Sequence, residues 1–408
     1  MSAQPKVSAK QRITRRVMAA QPSASMALEA RIGEMRAAGE PVISFGAGEP
    51  DFPTPDAIKL NGHEAIDTNL TKYTPAGGTV ALHKAIAARM KADTGMDYKN
   101  SQITITNGGK EAIYLAIQAL VEAGDEVIIP APYWVSYPEM VRLADGVPVI
   151  IPTTVKDNFK VTPEMLRAHT TPNTRMFVLV SPSNPTGEMY SKAELEAIAE
   201  WLRGNDALIL TDELYDRIVF DGEYARWLVV APDLADRTIV VNGLSKSVAM
   251  TGWRIGFAAG PEAYIKAMVK IQGHSTTHPS SISQHAALKA YTSNLDAEIA
   301  KMVVAFRERR DWIVDALRKI PGVTCLTPPG AFYVFPDLTG LYGKTLKYGG
   351  PFNSTAEIAS YLLDKVKVGI IHGEAFGAPG GARMSYALGM DKIQEGLRRM
   401  SDALTIVG

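Results

Sequence analysis

Residues 102–129 read QITITNGGKEAIYLAIQALVEAGDEVII. Both ends are short runs rich in Ile, Val and Thr, which favour strands. Between them Ile113, Ala116, Ile117, Leu120 and Val121 recur at helical spacing. Strand, helix and strand in one stretch make a βαβ unit, which places two parallel strands side by side. Toward the C-terminus the pattern continues, with strands expected at 102–106, 126–129, 176–180, 207–211 and 238–241. Residues 193–202, AELEAIAEWL, supply another helical period through Leu195, Ile198, Ala199 and Leu202. Continuous apolar runs of this length suit strands covered on both faces. The expected fold is α/β, a mostly parallel central sheet flanked by helices.

Past residue 280 the character changes. A long helix is expected over 295–320, carrying Ile299, Val303, Phe306, Ile313 and Leu317 among many charges. Short strands around Thr324, 332–336 and 383–386 and a helix near 356–366 then predict a smaller α+β domain. The division expected is 1–50 as an arm and part of the small domain, 51–292 as the large α/β domain, and 293–408 as connecting helix and small domain. Residues 349–351 and 378–381 read as surface loops.

The composition removes several classes of function. Among 408 residues, Lys+Arg 43 balances Asp+Glu 43, so the electrostatic footprint of a nucleic-acid binder is missing. Cys325 is the single cysteine, which excludes an internal disulfide or a cysteine metal cluster and suits a reducing compartment. No apolar stretch approaches the roughly 18 residues of a membrane helix. The expected protein is cytoplasmic, with no metal, membrane or nucleic-acid partner. The first twenty residues hold Lys6, Lys10, Arg12, Arg15 and Arg16 without an acid. That composition is shared by organelle transit peptides and by plain basic arms, and no secretory apolar core follows it.

Ligands of open α/β sheets sit beyond the carboxyl ends of the strands. Asn107-Gly108-Gly109-Lys110 follows the first strand and opens a helix, a place where backbone amides and the helix dipole favour an anion. Ser181-Pro-Ser-Asn184-Pro185-Thr-Gly187 follows the third, Asp212 and Tyr215 the fourth, and Ser245-Lys246 with Arg254 the fifth. Each has a plain structural explanation: a Gly-Gly turn, an Asn capping its own backbone, an Asp capping the next helix, a solvated lysine. Together they offer an anion cup, a polar amide, a buried carboxylate, a phenol, an amine and a guanidinium to one ligand. Pyridoxal phosphate (PLP) has the matching phosphate, ring nitrogen, phenolic oxygen and aldehyde.

The set Asn184-Pro-Thr-Gly, Asp212-x-x-Tyr215, Ser245-Lys246 and Met250-Thr-Gly-Trp-Arg254-Ile-Gly resembles the class I, fold type I aminotransferases, in their bacterial aspartate aminotransferase branch. Ala47-Gly-Glu-Pro-Asp51, Lys72-Tyr73, Pro132-Tyr-Trp-Val-Ser-Tyr137 and Arg383-Met-Ser-Tyr386 extend the resemblance along the chain. It implies that Lys246 forms the Schiff base and shuttles a proton, and that Asp212 pairs with the pyridine nitrogen. It also implies that Asn184 and Tyr215 meet the phenolic oxygen, that Trp134 stacks on the ring, and that Gly108, Gly109 and Arg254 hold the phosphate. Tyr73 would reach that phosphate from a second subunit, making a homodimer with shared sites. Arg383, with the Gly48 backbone, would take the substrate α-carboxylate. Trp134 and Asn184 would also border the substrate. Gly243 stands where other members carry a phosphate-binding serine, which leaves that contact open, with Ser245 beside it. Lys110 resembles the residue that meets a distal carboxylate. Gln21 stands where prephenate-using members carry a polar or basic residue. His278 departs from the branch and is either a pocket residue or a structural loop histidine.

The implied function is ping-pong transfer of the amino group of aspartate to 2-oxoglutarate, with aromatic amino acids, glutamate or prephenate as further candidates. A C–S β-lyase could be built on the same Lys–Asp pair. A PLP-sensing regulator would need an added DNA-binding module, and no helix-turn-helix signal precedes the core.

Overall fold

The computed structural model describes residues 13–407, so Lys6, Lys10 and Arg12 of the basic arm lie outside the described residues, and Arg15 and Arg16 begin a short helix, Arg15–Ala19. A two-residue strand, β1 (Ile43–Ser44), precedes the strands of the large sheet. These are β2 (Ile103–Thr106), β3 (Glu126–Ala131), β4 (Val147–Pro152), β5 (Thr174–Val180), β6 (Leu208–Asp212), β7 (Thr238–Gly243) and β8 (Gly256–Ala259). The C-terminal part holds β9 (Tyr333–Val334), β10 (Val368–Gly369), β11 (Ile371–His372) and β12 (Ala382–Ser385).

The large sheet has the order β2-β8-β7-β6-β5-β3-β4, with β8 antiparallel to both neighbours and the other pairs parallel. The two-residue side-chain period divides each strand between two cores. Val127 and Ile129, Met176 and Val178, Leu208 and Leu210, Ile239 and Val241 pack with the helix Gly109–Leu120 on one face. Ile128, Phe177 and Leu179, Ile209 and Val240 pack on the other, with helices Lys192–Arg203 and Ser281–Thr292. Ser191 starts Lys192–Arg203 with a capping box, its hydroxyl accepting from Glu194 N while Glu194 accepts from Ser191 N.

A third core gathers Ile43 and Phe45 with Phe306, Leu317, Phe332, Ile358, Met384 and Leu397. The helix Asp296–Arg318 lends Ile299 to the large core and Phe306, Ile313 and Leu317 to this one. β1 pairs in parallel with β10, and β9, β12 and β11 form an antiparallel sheet.

Several expectations need correction. β4 and β8 lie outside the expected strands, Gln102 belongs to a short 3-10 turn, and Thr324 makes an isolated bridge with Asp337 rather than a strand. Residues 378–381 are not wholly a surface loop: Gly380 and Gly381 are buried, Gly381 against Phe335. A missing side chain also lets β8 reach the start of helix Gly109–Leu120. A Cβ on Gly256 would sit 2.5 Å from Gly109 N and 2.6 Å from Gly108 C. Backbone meets backbone there, so neither partner can swing aside. Gly256→Ala is therefore expected to cost about 1–3 kcal/mol in urea unfolding, as overpacking does. A loss under about 0.5 kcal/mol would mean that this contact yields freely.

Candidate active site

The loops beyond β2, β3, β5, β6 and β7 meet strands β9 and β12 around a cleft of about 430 Å³. Gly48, Gly109, Lys110, Trp134, Asn184, Asp212, Tyr215, Ser245, Lys246, Arg254 and Arg383 all line it. Gly108, at φ +79, caps the helix without offering a side chain to its first amides. Arg254 packs against it so closely that a Cβ on Gly108 would fall 2.7 Å from Nη2. Arg254 is held by donating to Asn107 O at 3.0 Å and Thr251 O at 2.8 Å. The result is a cup of backbone amides with a guanidinium on its rim, suited to a phosphate.

Asp212 ends β6, and its carboxylate is buried. A turn follows it rather than a helix, so capping explains only one contact, Leu214 N to Oδ1 at 3.2 Å. Oδ2 accepts from Tyr137 OH at 2.6 Å. Burial pushes the Asp212 carboxyl above its ordinary 3.8, against the pull of Tyr137, the Leu214 amide and Lys246. Such a group calls for a cationic partner. Lys246 donates its Nζ to Gly48 O. Burial lowers the amine to about 8, Glu49 and Asp212 working against the fall and Arg383 and Arg254 with it.

Asn184 does not cap its own loop. Its Oδ1 accepts from Arg383 Nη1 at 3.0 Å, while Nη2 donates to Gly46 O at 2.7 Å. Arg383 lies over the Tyr333 ring at 4.7 Å, and its buried Nε has no partner among the described residues. Lys110 Nζ stands 4.9 Å from the centre of the Trp134 ring, its pKa lowered by partial burial and then by Arg254. Tyr215 OH and Tyr333 OH are 2.9 Å apart.

Three residues stand away from the cleft within one chain. Tyr73 is 90% exposed and meets the His278 ring edge-on at 5.6 Å. His278 Nε2 accepts from Thr74 N at 3.3 Å and Nδ1 donates to Pro279 O at 2.7 Å, a structural arrangement within the loop. Gln21 donates its backbone N–H to Glu139 at 2.8 Å and does not line the cleft. Tyr137, Thr251 and Glu49 stand inside the motifs quoted above without a role of their own, and Tyr333 stands in none of them. Tyr137 lies at the start of helix Ser136–Leu143, three residues after Trp134.

Residues 40–400 match the family described as aminotransferase class I and II. The chain is 46% identical over 396 residues to an aspartate aminotransferase of Streptomyces avermitilis, covering 97% of each. It is 45% identical over 381 residues to an aspartate/prephenate aminotransferase of Cereibacter sphaeroides, covering 93% of this chain and 95% of the relative. The crystal structure of an aspartate aminotransferase from Rhizobium meliloti superposes with TM-score 0.93 at 39% identity, over 96% of this chain and 98% of that one. An aspartate aminotransferase of Thermus thermophilus with maleate gives 0.90 at 37% identity, over 96% and 99%.

Asp212 gives a direct test of the site's electrostatics. Because its folded value is raised, its contribution to stability is complete below the ordinary 3.8 and is lost as pH rises through the raised value. Asp212→Asn keeps the shape and removes the charge. The ligand-free variant should melt above the wild type at neutral pH, the gap closing as the pH falls toward 3.8. A variant less stable at neutral pH would show that the carboxylate is well compensated without a ligand.

Proposed function

The chain belongs to the class I and II aminotransferases, and on that premise we propose that it moves the amino group of aspartate to 2-oxoglutarate, with PLP as its cofactor. The observation that carries this reading is the convergence of a lowered-pKa amine, Lys246, and a buried carboxylate, Asp212, on one cleft. The residues fit the cofactor. The Gly108–Gly109 cup with Arg254 suits its phosphate, Asp212 its ring nitrogen, Asn184 and Tyr215 its phenolic oxygen, and Trp134 its ring face. Ser245 is buried beside Lys246, and Gly243 supplies no hydroxyl. When bound, PLP supplies an aldehyde to take up the amino group and a pyridinium ring to accept the electron pair left at Cα.

The chain's own groups do the rest. An amine near pKa 8 is partly free at neutral pH, so Lys246 can accept the proton from the substrate Cα and return it. Tyr137 OH and the Leu214 amide fix the Asp212 carboxylate toward the ring position. Arg383 presents a planar fork to the α-carboxylate, with the Gly48 backbone beside it, and its Nε, without a partner among the described residues, leaves a donor to spare. Lys110 lines the same cleft as a second carboxylate partner, which suits a dicarboxylic acid better than a C–S β-lyase substrate. Donor and acceptor would use these contacts in turn, which is ping-pong order. Glutamate, prephenate and aromatic amino acids belong to the wider range of the same reading.

The enzyme is read as a cytoplasmic homodimer. Tyr73, exposed on its own chain, would reach the partner's phosphate cup, and exposed Leu60, Leu70 and Val80 are surface that a second copy could cover. Residues 51–292 would form the cofactor-holding unit. Residues 293–408 with part of the first fifty would form the smaller one, in keeping with Ile43 and Phe45 in the core of Phe306. Among the described residues no helix is long and apolar enough to cross a membrane.

The reading is tested by absorbance. Aspartate should convert the cofactor band of the purified protein, 2-oxoglutarate should restore it, and Lys246→Ala should abolish both changes. Absence of any cofactor band, or full turnover by Lys246→Ala, would sink it. Lys110→Gln tests the donor: kcat/KM for aspartate should fall about 10–100-fold, as for loss of a charged hydrogen bond, while that for tyrosine changes little. An equal loss on both would remove Lys110 from substrate choice.

A further inference from the structure

Residues 46–49 form no regular structure, yet this short strap is tied to three cations of the cleft. Gly46 O accepts from Arg383 Nη2 at 2.7 Å, and Gly48 O accepts from Lys246 Nζ. Glu49 Oε2 accepts from Thr251 Oγ1 at 2.7 Å, and Thr251 O in turn accepts from Arg254 Nη1 at 2.8 Å. Glu49 is therefore a cleft-lining carboxylate next in sequence to the carbonyl that receives the reactive amine. We propose that Glu49 is a positioning residue for Lys246: its bond to Thr251 anchors the strap whose Gly48 carbonyl receives the amine.

Two acids, Glu49 and Asp212, favour the ammonium of Lys246. Asp212, the other acid, already accepts from Tyr137 OH and Leu214 N. Among the described residues Glu49 accepts from one neutral hydroxyl only. Arg383 and Arg254 oppose the ammonium, burial opposes it most, and the Phe332 ring face lies 5.9 Å from Nζ. Removing Glu49 takes away one of the two carboxylates that favour the ammonium. The amine then loses its proton at lower pH and is free to react sooner. The strap also loses its tie to the 251–254 turn, so Gly48 O is held less firmly over Nζ. Glu49 stands at the exposed rim, so its pull is moderated by solvent but not removed.

This inference rests on the reading of Lys246 as the cofactor-binding amine only in its choice of group. Its test needs no turnover, so it can fail while the transaminase reading stands, and the reverse. The cofactor-free protein is trace-acetylated with isotopically labelled acetic anhydride from about pH 6 to about pH 10, and the Lys246 peptide is read by mass spectrometry; only the neutral amine reacts. The wild-type midpoint is expected near 8. Glu49→Gln, which keeps an acceptor for Thr251 but no charge, should move the midpoint to lower pH. Glu49→Asp should restore it at least in part. Thr251→Val, which keeps the charge but frees the carboxylate, should give a smaller downward shift. A Glu49→Gln midpoint equal to that of the wild type, in a variant with unchanged thermal stability, overturns the proposal. Should Glu49→Gln fail to fold, Thr251→Val decides, and an unshifted midpoint there overturns it as well.

Discussion

Asp212 carries a carboxylate into the protein at the carboxyl end of β6, where leaving water costs several kcal/mol unless the charge is met. Much of the site follows from meeting it. Tyr137 on the helix after β3 turns its hydroxyl to one oxygen, and the Leu214 amide closes on the other. Those contacts do not restore the carboxyl to its ordinary value. A cationic group brought against the carboxylate would relieve the remaining imbalance, which is the part proposed for a ring nitrogen.

The cleft is built where two cores meet. Lys246, Asp212 and the Gly108–Gly109 cup belong to the large sheet, whereas Arg383 lies on β12 and Tyr333 on β9. The bond from Arg383 Nη1 to Asn184 Oδ1 joins the two, and the strap beside β1 adds Gly46 O to the same guanidinium. The side chain proposed to take the α-carboxylate therefore also ties the two cores together.

How much of this could be read from sequence depended on whether the signal was local. β5, β6 and β7 announce themselves as continuous runs buried on both faces, and the residues after them inherit their positions from the sheet. β4 hides because Pro148 and Pro152 interrupt an edge strand with partly exposed residues. β8, GFAA, hides because small residues have little strand preference, and it exists by packing between β2 and β7. In the site, Lys246, Asp212, Asn184 and Arg254 were legible from their place after strands. Tyr137, Tyr333 and Thr251 were not, because their value lies in partners distant along the chain: Tyr137 finds Asp212, 75 residues away, and Tyr333 finds Tyr215, 118 away.

The contact of β8 with the anion cup bears on how such a site should be dissected. At Gly108, Gly109 and Gly256 the working parts are main-chain amides and the empty space beside them. Alanine scanning, which infers importance from what a truncation removes, has nothing to truncate there. At those positions alanine adds atoms, so a scan would report steric damage and stay blind to the amides themselves. Their share of ligand binding is accessible only to chemistry that edits the backbone, such as replacing an amide by an ester.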